Sequence, residues 1–201
     1  MAEFYALAAG DPVLAGPVAD QHGLHQVRFR TLAEGATWFT ITHRVGQRAA
    51  LAWKRALAER CGRPIRYRGE VLYAFPDLAD LWELPDAALL AVLRAPNRVA
   101  RLRSVLSGVA GLGEEWLRTA PFGQARDALL AVRGVGPFTA DAVLFRVLGR
   151  LGPIATGADP AAATRYGDWI GYRGYYQRSH AIPAAGRIRQ PGPAIGGGPG
   201  G

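Results

Sequence analysis

The feature that most constrains the fold is Gly134-Val135-Gly136-Pro137, set between two apolar stretches of helical period. Upstream, Phe122, Ala125, Leu129 and Leu130 recur at helical spacing, and the pattern ends at Val132. Downstream, Ala140, Val143, Leu144, Val147 and Leu148 fall on one face of a second helix. Glycine adopts backbone angles that other residues resist, so the chain can turn sharply between the two. Proline suits the first turn of a helix, where its missing N–H is not needed. The pattern predicts a helix, a tight hairpin and a helix, and with the rest of the chain an all-α fold.

Such a hairpin leaves backbone N–H groups unpaired at the start of its second helix. With no side chain at Gly134 or Gly136, an anion can come close to them, and the helix dipole favours a phosphate. The plainer reading is an αα-hairpin whose glycines only turn the chain. The balance of charge tips toward phosphate: the formal net charge is +8, and Lys54 is the only lysine, so the positive charge is almost all arginine. A basic balance favours a polyanionic partner, although charge alone does not separate that from a well-solvated arginine surface.

At 201 residues the chain suits one compact domain or two small lobes, and its 49% hydrophobic content is enough for a buried core. Cys61 is the only cysteine, which excludes a disulfide within the chain and a four-cysteine iron–sulfur cluster. A signal-like start and an apolar run of transmembrane length are both missing, which points to a cytoplasmic protein without membrane association. His22 and His25 lack any accompanying carboxylate or cysteine pattern, so a loop is expected there and no metal site.

Along the chain, Asp11-Pro12-Val13-Leu14 reads as a capped helix start. Thr31 and Glu34 have the spacing of a capping box, opening a helical stretch that runs to Cys61 with a break near Gly46. Trp38, Ile41, Val45, Ala49, Ala52, Trp53 and Leu57 form its apolar face, and Arg44, Arg48, Lys54, Arg55 and Arg60 its basic one. Pro64 and Gly69 mark a loop or short hairpin over 63–75. Short helices are expected over 77–83 and 85–94, then a longer one over 96–111 with Val99, Leu102, Val105, Leu106 and Val109 inward and Arg98, Arg101 and Arg103 outward. About one turn follows at 114–118. After a loop over 151–159, a short helix spans 160–166, and 168–179 is an aromatic helix or extended turn. Helical structure occupies 1–182, and the Pro/Gly-rich 183–201 reads as a disordered tail.

Three stretches carry a resemblance to the helix-hairpin-helix DNA glycosylases. The most specific is Val132 to Arg146. The second is Ile41 to Gly62, similar to that family's early DNA-facing helix, with His43-Arg44 standing where a glutamine pair is usual. The third is Tyr166 to Tyr176, similar to the late aromatic helix. The resemblance covers about Asp11 to Tyr176. It implies that Gly134, Gly136, Phe138, Thr139 and Arg44 meet double-stranded DNA, and that Trp38, Trp169, Tyr172 and Tyr175 line a base pocket. It further implies a monomer associated with the nucleoid. No cofactor is expected apart from a monovalent cation at the carbonyls around Val132 and Val135.

The chemistry implied is cleavage of an N-glycosidic bond. The sugar becomes cationic as the base leaves, and a fixed carboxylate near C1′ stabilises that charge and can orient water. The base must be flipped out, and aromatic faces then hold an alkylated, cationic base. Bifunctional relatives place a Schiff-base lysine just after the hairpin; the matching residue here is Phe138. The resemblance therefore implies a monofunctional glycosylase of the 3-methyladenine type, acting on alkylated purines in base-excision repair. The matching carboxylate is Asp159, 21 residues after Phe138, which can equally be the N-cap of the helix at Pro160. Asp141 and Asp168 are further candidates. Two rivals stand beside this reading: a relative that binds DNA without catalysis, and a structural helical protein whose glycine turn is only a turn.

Overall fold

The computed structural model describes residues 1–154 and 160–181. They form two compact units, one of Met1–Leu24 with the segment from Tyr172, the other of His25–Gly171. Among the described residues the regular structure is helical, save one two-stranded hairpin.

In the smaller unit, α1 (Ala2–Ala9) and α2 (Ala15–Asp20) join most of α12 (Ile170–Ala181). Phe4 is fully buried, with its ring 5.2 Å from Tyr176 and 5.7 Å from Tyr172. The Tyr176 hydroxyl donates to the Leu24 carbonyl at 3.0 Å, so its 3.2 Å contact with Tyr5 needs the Tyr5 hydroxyl as donor. Burial pushes the Tyr176 phenol above its ordinary range. Asp11 does start a turn, accepting from the Val13 N–H at 2.9 Å, but the helix opens only at Ala15. The buried Asp11 carboxylate also pairs with Arg173 at 3.4 Å.

The larger unit begins with α3 (Leu32–Ile41) and α4 (Gln47–Cys61). Thr31 accepts from the Glu34 N–H at 3.1 Å, as the capping-box spacing requires; the Glu34 carboxylate reaches back one residue further, to the N–H of Arg30. The break falls at Gly46, which caps α4. The inward stripe of α4 is Ala50, Leu57 and Ala58, whereas Ala49 and Ala52 are exposed. The helical phase restarts after the break, so Ala50 takes the inward place expected of Ala49, while Leu57 is buried and Trp53 packs against the core as expected.

Then come β1 (Pro64–Tyr67) and β2 (Glu70–Tyr73), antiparallel with Pro64 opposite Tyr73. Four short helices and one long one follow: α5 (Leu78–Glu83), α6 (Asp86–Leu93), α7 (Pro96–Leu112), α8 (Glu114–Thr119) and α9 (Phe122–Ala131). All five apolar positions expected to face inward on α7 are buried. Its arginines do not simply face outward. Arg98 donates to the Leu93 carbonyl at 3.0 Å and lies over Trp53, and Arg103 donates to the carbonyls of Leu81, Trp82 and Leu84, closing the end of α5. Carbonyls at a helix end lack intrahelical donors, and a guanidinium has five N–H groups to offer.

The hairpin's second helix is α10 (Pro137–Ala142), which continues as a π-helical turn over Val143–Val147. The wider turn leaves the Phe145 and Arg146 carbonyls for the incoming segment: Gln26 donates to the first at 2.7 Å and the Phe29 N–H to the second at 3.0 Å. α3 and α7 stand between two apolar clusters and contribute to both. One holds Phe39, Val105, Leu129 and Leu144, the other Ile41, Leu57, Leu93 and Leu102. Burying each such side chain contributes about 1.5–3 kcal/mol. α11 (Pro160–Tyr166) and a 3₁₀ turn (Gly167–Trp169) complete the unit.

Candidate functional site

The turn between α9 and α10 is braced from behind by α7. Gly134 sits at φ +98, in the left-handed region. A methyl group there would stand 3.1 Å from Arg101 Cγ and 3.2 Å from Val105 Cγ2, so the angle favours glycine and the close packing adds to it. Arg101 closes a fork on the Gly134 carbonyl, with Nε at 3.1 Å and Nη2 at 2.9 Å, and Ser104 Oγ donates to the Arg133 carbonyl at 2.8 Å. Gly136 differs from the sequence expectation. Its φ is −103 and its ψ 176, an extended conformation open to any residue. A side chain there would meet nothing within 4 Å, so what glycine contributes is open space in front of α10.

A buried ion pair ties the two hairpin helices together. Arg126 Nε on α9 lies 2.7 Å from Asp141 Oδ1 on α10, and Asp141 is 3% exposed. The Asp141 bond holds the Arg126 guanidinium above its ordinary pKa. This carboxylate is committed to the scaffold, which removes one of the three sequence candidates for a free catalytic acid. Asp168 is exposed on the 3₁₀ turn, and its carbonyl accepts from the Gly152 N–H at 3.2 Å. Asp159 lies outside the described residues.

Phe138, in the first turn of α10, is 61% exposed, and its ring meets Phe39 edge-on at 6.1 Å. Phe39 in turn meets Phe29 at 5.3 Å. Thr139 is 4% exposed and packs inward, so the DNA contact expected of it lacks an accessible side chain here. Consecutive positions on a helix point about 100° apart, and α10 can present only one of the two outward.

Trp38 is half-buried, and the Lys54 ammonium stands 5.7 Å from its ring. The same ammonium is 5.4 Å from Phe29, 5.8 Å from Phe75 and 2.6 Å from Glu34 Oε1. The only lysine is thus held by one carboxylate and three aromatic faces. Trp169 belongs to the larger unit and is half-buried; Tyr172 and Tyr175 belong to the smaller one, edge-on to each other at 6.5 Å. Arg44 is exposed with φ 55.

Sequence reasoning placed Arg101 on the outward face of α7 and missed its fork on the hairpin turn. Arg101 lies four residues before Val105, on the same helical stripe, and that phase was the available signal. Phe39 reads in the sequence as either a pocket aromatic or core; it is buried, with its ring against Phe138.

The fold matches solved DNA glycosylases. The 8-oxoguanine glycosylase/lyase of Clostridium acetobutylicum in complex with double-stranded DNA aligns with a TM-score of 0.77 at 18% identity, over 90% of this chain and 69% of that one. The 3-methyladenine DNA glycosylase of Archaeoglobus fulgidus aligns with a TM-score of 0.71 at 17% identity, over 89% and 68%. In sequence, the chain is 28% identical over 149 residues to the DNA-3-methyladenine glycosylase of Bacillus subtilis, covering 72% of this chain and 48% of that protein. It is 34% identical over 145 residues to a probable bifunctional transcriptional activator/DNA repair enzyme AlkA of Mycobacterium tuberculosis, covering 69% and 28%. The chain belongs to the helix-hairpin-helix DNA glycosylase superfamily.

No family model matches the sequence. The chain spans about half the length of the first curated relative and just over a quarter of the second. Within the superfamily's fold, the braced GVG turn, the Arg126–Asp141 pair and the exposed Phe138 are what this member presents at its hairpin. Among the described residues, no helix is long and apolar enough to cross a membrane, and no three His, Cys, Asp or Glu side chains group as a metal site.

Proposed function

We propose that this protein is a monofunctional DNA glycosylase that binds double-stranded DNA as a monomer and releases alkylated purines. The observation that carries the proposal is Phe138. At the position where a lyase needs an amine, this chain exposes an aromatic ring on the first turn of α10, with Phe39 beside it. A ring there can stack on a flipped, cationic base and cannot form a Schiff base. The sole lysine is held by Glu34, which keeps its ammonium engaged.

In this reading the hairpin holds a backbone phosphate at the open front of Gly136, with a monovalent cation at the neighbouring carbonyls, and phosphate contacts dominate affinity. Asp159 stabilises the cationic sugar and orients the attacking water. The reaction takes place in the cytoplasm, on the nucleoid. The names of the curated relatives support the alkylated-base assignment. One observation favours a second reading, a DNA-binding relative without catalysis: Asp141 is consumed by Arg126, so activity depends on Asp159 or Asp168 alone.

Base release from methylated duplex DNA separates the two. Purified protein and Asp159→Asn are assayed for free base and for alkali-labile sites. Release by the wild type alone is expected. Release by both would move the carboxylate to Asp168, and release by neither with DNA still bound would establish the binding protein.

A further inference from the structure

The outer edge of β2 is an unpaired strand beside a groove. The Ala74 N–H donates to the Arg63 carbonyl at 2.9 Å, which fixes the phase of the β1–β2 ladder. In an antiparallel pair, residues that exchange hydrogen bonds alternate with residues whose backbone groups point away. Ile65–Leu72 and Tyr67–Glu70 are therefore bonded pairs, and Val71 and Tyr73 direct their N–H and C=O groups outward from β2. Among the described residues no third strand receives them.

The two edges of this hairpin differ. On β1 the outward places are Pro64, which has no N–H, and Arg66, with Arg63 and Arg68 to either side. Proline and positive charge guard an edge against strand addition. On β2 the outward places are Val71 and Tyr73, and these two side chains and Leu72 between them are exposed. The groove beside this edge has a volume of about 670 Å³, and its other wall is one face of α4, from Leu51 through Lys54, Arg55 and Ala58 to Glu59. Lys54 is paired with Glu34 at 2.6 Å and Arg55 with Glu59 at 2.7 Å. That leaves Glu70, at the start of β2, as the groove carboxylate without an ion-pair partner among the described residues.

We propose that this groove docks an extended segment of a partner protein, which adds to β2 as an antiparallel third strand with apolar side chains opposite Val71, Leu72 and Tyr73 and a Lys or Arg opposite Glu70. Such a strand exchanges two hydrogen bonds with Val71 and two with Tyr73. It also completes a sheet that is marginal with two strands. Three carboxylates against two cations line the groove, which disfavours nucleic acid. A second copy pairing through its own β2 sets Glu70 opposite Leu72, Ala74 or Pro76, according to register, and leaves the carboxylate unmatched. The proposal does not depend on the glycosylase reading.

The probe is a capped peptide, Ser-Val-Ile-Val-Arg-Ser, titrated into the full isotopically labelled chain and followed by NMR. The amide resonances of Glu70 to Tyr73 should shift. Val71→Pro removes an outward N–H and leaves the bonds to β1 in place, and should weaken the peptide about tenfold. Arg66→Pro makes the same change on the guarded edge and should leave the affinity unchanged. Glu70→Lys should weaken binding about threefold, and a peptide with Glu in place of Arg should recover it on that variant. Unmoved resonances at β2, or equal losses from the two proline variants, would overturn the proposal. Displacement of the peptide by duplex DNA would assign the groove to nucleic acid, and dimerisation of the free chain that Val71→Pro abolishes in sedimentation would assign it to a second copy; either result overturns the partner segment as its occupant.

Discussion

The larger unit contains two hairpins of opposite character. The β1–β2 hairpin turns at Arg68 and Gly69, with φ of 49 and 83, and all eight of its strand residues are exposed. A side chain added at Gly69 would meet open space. The α9–α10 hairpin also turns on a glycine with positive φ, but its turn carbonyls are taken by Arg101 and Ser104, and its helices are pinned by Arg126–Asp141. Local conformational demand is similar in both. What distinguishes them is tertiary: one turn is free, and the other is held in place by a neighbouring helix. A phosphate-binding turn needs its N–H groups already positioned, since ordering them on binding would cost affinity. In the proposed reading, that requirement is why only the second is braced.

The largest expected effect comes from setting the two glycines against each other. Gly134→Ala combines left-handed strain with contacts on Arg101 and Val105, and should destabilise the protein by about 2–4 kcal/mol and sharply weaken DNA binding. Urea unfolding and anisotropy titration measure both. A loss no larger than that of Gly69→Ala would break the comparison.

Next in size is Asp141→Asn. It keeps the shape but leaves Arg126 without its counter-charge. Removing one partner of a buried pair costs about 3–5 kcal/mol, and because the Arg126 side chain is 26% exposed we expect the lower end or below, about 2–3 kcal/mol. The matching change at the exposed ion pair of α4, Glu59→Gln, should cost under about 1 kcal/mol. Equal losses in thermal denaturation would show that the hairpin pair is not special.

Gly69→Ala should cost about 1 kcal/mol from backbone strain alone and leave DNA affinity unchanged. A change in affinity would place the β-hairpin at the interface.

The smallest effect concerns His43. Its folded pKa lies below the ordinary 6.5, so below that pH the unfolded chain binds the proton more readily, and stability falls slightly as the solution is acidified. His43→Gln should flatten this dependence between about pH 5 and 6.5. An unchanged slope in pH-dependent melting would show that burial and the charges of Arg101 and Arg44 do not depress the His43 imidazole.

Much of this was legible in the chain itself. The inward faces of α7 and α10 follow from helical period, since burying an amphipathic face admits only one rotation of each helix. The start of α3 follows from Thr31 and Glu34, because a cap is a local hydrogen bond. On α4 the inward places expected of Ala49 and Ala52 were misread, because the non-helical residues between α3 and α4 reset a phase that period alone carries onward, whereas Leu57 is buried as expected. Phe138 as the replacement for a lysine was also legible, as chemistry that depends on one side chain at one position.

Other features depended on partners distant in sequence. Composition marks arginines as solvated, yet Arg98, Arg101 and Arg103 are held at carbonyls that only the packing of α5, α6 and the hairpin against α7 brings within reach. Asp141 read as a candidate acid until Arg126 met it. Gly134 and Gly136 look alike in the sequence, but one holds a left-handed angle against close neighbours and the other is extended and faces open space. The sequence by itself determined which segments of the larger unit are helical and, within an unbroken helix such as α7, which face is buried, because those depend on neighbours within a few residues. The tertiary structure alone decided which charges are spent on the scaffold and which remain for a ligand, because that depends on groups brought together from separate parts of the chain.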